Sequence, residues 1–255
     1  MNNAQKLKAF GYNIAKGMCK ILDAPEKRET INGKVFATAR ASFTSYTQRP
    51  GEAYTTYFSL IAFGKNATRL INNFQAGDFI RFIGKIYQKK YFNEQKNTES
   101  ISLNVHILSM SKVDKLLNKN QMEDEYFSIE ILSTLAQDPR KINDDTILLN
   151  VCYPNNSDDA EFITIFAKEK YLERLAPNEQ NCFKKGKIVG IKFLPYGAKK
   201  TTSSGKIYIG IAGQATTIFY VEDLIDDNPL IAKSTQNVEL SAQETKELYE
   251  SLFLD

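Results

Sequence analysis

Tryptophan is absent from the 255-residue chain, histidine occurs once and cysteine three times. A lone imidazole, His106, has no second one with which to build a zinc site. Cys19, Cys152 and Cys182 are odd in number, far apart and without a C-x-x-C pair, which excludes a disulfide framework and a thiolate cluster. His106 lies in an apolar stretch, where it reads as a buried or rim residue rather than a base. Gly210-Ile-Ala-Gly213 lacks the third glycine and the following helix of a dinucleotide fingerprint, and no Walker-type phosphate loop is present. The acidic pairs Asp144-Asp145 and Asp226-Asp227 read as turn residues. The expectation is a protein that is not an enzyme, with no catalytic residue, no metal and no cofactor. No apolar run approaches the roughly 20 residues needed to cross a bilayer, and the N-terminus lacks the apolar stretch of a secretory signal. Together with the cysteine usage this predicts a cytoplasmic protein with no membrane partner.

Positive charge is present but unevenly spread. Residues 1 to 118 hold 18 Lys+Arg against 8 Asp+Glu, residues 119 to 221 hold 13 of each, and residues 222 to 255 hold 2 against 9. The three parts carry +10, 0 and −7. The basic first part suits a polyanion, and the acidic end repels one and suits a different partner.

Hydrophobic alternation predicts strands rather than long helices. Val35 to Phe43 reads as a strand, followed by a polar loop from Thr44 to Ala53. Thr55 to Phe63 alternates, with Phe58, Leu60 and Ala62 on one face and Tyr57, Ser59, Ile61 and Phe63 on the other. A short helix over Asn66 to Phe74 and a turn at Gly77-Asp78 lead to a strand from Phe79 to Tyr87. There Ile80, Phe82 and Ile86 point inward, while Arg81, Lys85 and Tyr87 point outward. A polar loop from Gln88 to Ser100 precedes a closing strand through Ile101, Leu103 and Val105, and Ala15 to Leu22 supplies the first strand. This is the order of a five-stranded, partly open barrel. It recurs in Tyr126 to Thr134, Thr146 to Tyr153, Phe162 to Ala167, a helix from Lys168 to Leu175, Lys187 to Leu194 and Lys206 to Ala212. The repeat predicts a diverged internal duplication. The expected organisation is all-β with short helices: one barrel in residues 1–118, a second in 119–223 and an acidic tail in 224–255. Within that tail Ser241 and Glu244 form a capping box that opens a short amphipathic helix.

One segment carries a family resemblance. The run from Thr55 to Lys65, then Ala67 to Leu70, Ala76-Gly77-Asp78, Phe82-Ile83-Gly84-Lys85-Ile86 and Lys89-Lys90-Tyr91, resembles the core of bacterial single-stranded-DNA-binding proteins over roughly residues 15 to 110. The resemblance implies oligonucleotide-binding (OB) barrels and base-stacking rings at Tyr57, Phe63 and Tyr91, with a fourth at Phe43 or Tyr46. In the absence of tryptophan the stacking falls to Tyr and Phe. It also implies roles in DNA replication, recombination or repair, or in plasmid or phage transfer. The family's habit of assembling four barrels would be met by a homodimer of this two-barrel chain, with a monomer or an extended array as the alternatives. The C-terminus, Tyr249-Glu250-Ser251-Leu252-Phe253-Leu254-Asp255, departs from the family's acidic run closed by Pro-Phe, so replication or recombination proteins are expected as tail partners only in outline.

The residues themselves point to the same chemistry. An unpaired strand exposes phosphates, which Lys and Arg neutralise, and base faces, on which Tyr and Phe stack irrespective of sequence. Arg40, Arg81 and Lys85 accompany Tyr57, Phe63 and Tyr87 on the strands, while Lys89, Lys90, Tyr91, Phe92 and Lys96 follow together. Two alternatives stand beside this reading: an RNA-binding or primosome-type barrel, and a protein-assembly hub whose aromatic face docks a peptide. The second barrel carries Asp158, Asp159 and Glu161 in one loop and Tyr196, Lys199, Lys200 and Lys206 in another. The first loop opposes phosphate, and the second leaves an auxiliary contact open.

Overall fold

The computed structural model describes residues 12–46, 53–93, 98–113, 125–154, 160–173, 183–201 and 207–221. The tail helix expected near Ser241 and the acidic loop with Asp158 and Asp159 lie outside them. The chain divides into two compact units that are discontinuous in sequence. One is Ile14–Ile129 together with Leu194–Ala212, and the other is built around Glu130–Phe193 with the chain up to Asn13 and from Gly213.

In the unit beginning at Ile14, β1 (Asn13–Ile21), β3 (Val35–Tyr46), β4 (Ala53–Phe63), β5 (Phe79–Asn93) and β6 (Thr98–Val113) close on themselves. β1 pairs antiparallel with β3 and β5, β3 with β4, and β5 with β6, while β4 and β6 pair in parallel. The circuit β1–β3–β4–β6–β5 therefore has no free edge among its principal strands. A short strand β2 (Glu26–Glu29) adds to β3, and helix α1 (Gly64–Asn73) connects β4 to β5. Alternation fills the inside: Phe58, Leu60 and Ala62 from β4, Ile80, Phe82 and Ile86 from β5, and Leu103, Val105 and Ile107 from β6 are all buried. Gly77 takes a positive φ of 89° at the turn into β5, where the Asp78 carboxylate accepts from the Gln75 amide and the Lys112 ammonium.

The same unit includes the start of β7 (Tyr126–Leu135). Phe127, fully buried, packs tilted on Phe58 at 4.6 Å and edge-on to Phe43 and Phe82, each at 5.5 Å. Four rings thus meet in one core, and burying each contributes on the order of 2–3 kcal/mol. Further along the chain, Ile207, Tyr208 and Ile209 register in parallel with Thr98, Glu99 and Ser100 of β6.

The strand succession repeats in β8 (Arg140–Asn143), β9 (Thr146–Pro154), β10 (Ala160–Lys168), α2 (Lys170–Glu173), β11 (Ile188–Thr201) and β12 (Ile207–Val221), which belong to the other unit except for Leu194–Ala212. Pairing runs β7–β9–β10–β12–β11 and back to β7, the cyclic order of the first circuit. Its core draws on Leu149, Val151, Ile163, Ile165, Ile191 and Phe193. The Tyr153 hydroxyl donates to the buried Glu161 carboxylate, so that this polar pair is satisfied inside an apolar wall.

Three features differ from the expectation. β2 and β8 are unforeseen because all four positions of each are exposed and show no alternation. The segments expected as long loops are mostly hairpin: β5 runs on to Asn93 before β6 starts at Thr98, and β11 runs to Thr201 before β12 starts at Ile207. Backbone pairing holds these polar stretches, and composition alone does not report it. The second helix covers only Lys170–Glu173 among the described residues.

Candidate nucleic-acid interface

The outer face of β3, β4, β6 and β5 collects most of the expected site residues in register. Arg40 pairs with Ser59, Ser59 with Asn104, and Asn104 with Tyr87, forming one row across four strands. The next row is Thr38, Ile61, His106 and Lys85. On the other side of the first row, Tyr57 registers with Ser42 and is 65% exposed, the side-chain period of two alternating it with buried Thr56 and Phe58. Lys89 and Tyr91 register with Ser102 and Ser100, and the Lys89 ammonium stands 5.2 Å from the centre of the Tyr91 ring. Tyr91 and Phe92 are exposed on the β5–β6 hairpin, and Arg81 and Lys85 share the outward parity of β5.

Phe43 does not belong to this face. Its ring is 1% exposed and lies in the core against Phe127, because its strand parity is that of Ala37, Ala39 and Ala41, all buried. Tyr46 and Lys90 lie on β3 and β5 respectively, with their side chains outside the described residues.

The cations are not equivalent. The Arg40 guanidinium donates to Asp23, and this bond holds the Asp23 carboxyl below its usual range. Burial pushes the Lys85 ammonium below its ordinary value. His106 is shifted down from 6.5 by burial and then by the charge of Lys85, so it is neutral around pH 7. In the other unit Lys141 pairs with Glu169, Lys168 with Asp145 and Lys192 with Glu130.

Three aromatic positions escape sequence reasoning. Phe36 stacks on Phe63 with centroids 5.6 Å apart, and Phe63 meets His106 edge-on at 4.9 Å. Neither Phe36 nor His106 sits in a motif, and only pairing register brings them to Phe63. The third is Phe162, which is 56% exposed and registers with Cys152 as Tyr57 does with Ser42. Aligning Ala62 with Ala167 along β4 and β10 places Phe162 opposite Tyr57, a signal already present in the two sequences.

Among the described residues no group of three or more His, Cys, Asp or Glu is arranged to hold a metal ion, and no helix is long and apolar enough to cross a membrane.

A five-strand circuit in this order, with a helix between its third and fourth principal strands, is an OB barrel, and the chain has the all-β OB fold. Among solved structures it is similar to a deletion variant of the single-stranded DNA binding protein from Thermus aquaticus, with a TM-score of 0.57 at 14% identity over 85% of this chain and 97% of that one. The wild-type Thermus aquaticus protein gives 0.55 at 14% identity over 81% and 91%. The small single-stranded DNA-binding protein from Streptomyces coelicolor gives 0.35 at 16% identity, covering 39% of this chain and 93% of its own. A share of 85% exceeds what one strand circuit holds, so the fold likeness to the Thermus protein runs through both. No family model matches the sequence, and no curated protein matches it.

Proposed function

We propose that the chain binds single-stranded DNA without sequence preference and without catalysing a reaction, protecting it during replication, recombination, repair or plasmid and phage transfer. The observation that carries this reading is the outer face of β3–β4–β6–β5, where exposed Tyr57 and Tyr91 stand with Arg40, Lys85 and Lys89. Rings there serve any base face, and cations serve the phosphates between. In this reading residues 1–118 form the main binding barrel, residues 119–223 a diverged barrel, and residues 224–255 an acidic tail that addresses replication or recombination proteins. Two chains as a homodimer would present four barrels.

Competition among single-stranded DNA, duplex DNA and single-stranded RNA at one fixed salt concentration tests it. A clear preference for single-stranded DNA is expected. Preference for RNA would favour the RNA-binding or primosome-type reading, and binding of none of them would favour the assembly hub.

A further inference from the structure

Beyond the residues of that interface, four neighbouring strands each contribute one side chain to a continuous line. Phe36 of β3 registers with Phe63 of β4 and stacks on it at an interplanar angle of 27°. His106 of β6 meets Phe63 edge-on at 73°, and Lys85 of β5 registers with His106. Ile61 borders the imidazole from β4, and Leu108 and Ile83 stand exposed beside it. Such a cluster could be passive surface or could meet an apolar peptide, but its charge pattern is selective. Residues 36–40, 59–63, 81–87 and 104–108 contain no Asp or Glu, whereas Arg40, Arg81 and Lys85 fall among them. Among the described residues, carboxylates stand only at the β3 edge of this face, where Asp23 holds Arg40 and Glu26 of β2 registers with Thr38, so the rings and Lys85 on β4, β6 and β5 fit a ligand that has both aromatic faces and negative charge.

We propose that Phe36, Phe63 and His106 form a nucleotide-binding subsite, on which one base of a bound single strand is seated while Lys85 meets an adjacent phosphate. This rests on the single-strand reading above and adds Phe36 and His106 to the contacting residues. Kept neutral by burial and by Lys85, the His106 imidazole offers one N–H donor and one acceptor nitrogen to a base edge, which a phenylalanine could not. Lys85, partly withdrawn from water, gains more from a phosphate than a fully hydrated lysine does.

The single histidine of the chain makes the test direct, because the imidazole signals in a proton–nitrogen or proton–carbon spectrum belong to one residue. Adding oligothymidylate to the full chain should shift the His106 ring resonances in step with binding followed by fluorescence anisotropy. His106→Leu and Phe36→Leu should each weaken that binding about tenfold, the scale of one lost base stack. If the oligonucleotide binds and the His106 resonances stay still, the subsite is wrong and the broader reading stands. If it does not bind at all, both fail. Resonances that move with protein concentration instead of oligonucleotide would make the cluster a surface between copies and overturn the proposal. Should either leucine variant fail to fold, the wild-type spectrum still decides.

Discussion

Arg40 and Asp23 illustrate how little a cation count says about binding. The guanidinium already has an anionic partner, so a phosphate must displace that partner to use it. Asp23→Asn should therefore strengthen binding to single-stranded DNA at low salt and steepen the dependence of log K on log salt by roughly 0.7, the value of one more neutralised phosphate. An unchanged slope in a salt titration would remove Arg40 from the contact set. Tyr57→Ala should cost about 1–3 kcal/mol of binding and leave the melting temperature alone, because the ring is 65% exposed. Phe43→Ala should do the reverse, lowering stability by about 3–5 kcal/mol as a core truncation. His106 adds a pH term. Its folded value lies below the ordinary 6.5, so the unfolded chain binds more protons as pH falls, and its contribution to stability is full above 6.5. That contribution is lost as pH falls from 6.5 through the folded value. Chemical denaturation at several pH values should show a decline that His106→Gln abolishes.

At the scale of elements, β7 does more than open a second barrel. Its Phe127 completes a cluster with Phe43, Phe58 and Phe82, and the Glu125 carboxylate just before it accepts from the Thr44 amide at 2.6 Å. A piece ending at residue 118 lacks both contacts. It should melt well below a piece ending at residue 129, and Phe127→Ala in the full chain should lower stability by about 3–5 kcal/mol. Equal melting of the two pieces, followed by circular dichroism, would make the cluster irrelevant. This dependence was not legible in the sequence: Phe127 alternates like any inward strand residue, and nothing local says which core receives it. What was legible follows from period-two burial. The order of the principal strands, the helix after β4, the inward set Phe58, Leu60 and Ala62, and the outward Tyr57 are all direct consequences of it. Phe43 was misread because a ring near a strand end looks the same whether its parity points in or out. β2 and β8 were missed because exposed four-residue strands have no apolar face to alternate.

Across the whole molecule the charge partition of +10, 0 and −7 predicts a division of labour. Residues 119 to 223 should bind single strands much more weakly than residues 1 to 129. The second segment has 13 Lys+Arg against 15 Asp+Glu once Glu222 and Asp223 are included, and Lys141, Lys168 and Lys192 are engaged by carboxylates. Equal affinity of the two pieces by anisotropy would refute the asymmetry, and Phe162, placed like Tyr57, is the first residue to truncate in that event.

The discontinuity of the compact units bears on how the chain is made. The unit that begins at Ile14 runs to Ile129 and then waits for Leu194–Ala212. At bacterial-to-eukaryotic elongation speeds of about 5–20 residues per second, the intervening stretch and that last segment occupy the ribosome for on the order of ten seconds. During that interval Thr98, Glu99 and Ser100 of β6 have been synthesised but their partners Ile207, Tyr208 and Ile209 have not. The nascent β5–β6 hairpin, in which Thr98–Ser100 pairs with Tyr91–Asn93 on one side only, therefore leaves its other edge open for several seconds, and a slowed or stalled ribosome prolongs its exposure to aggregation.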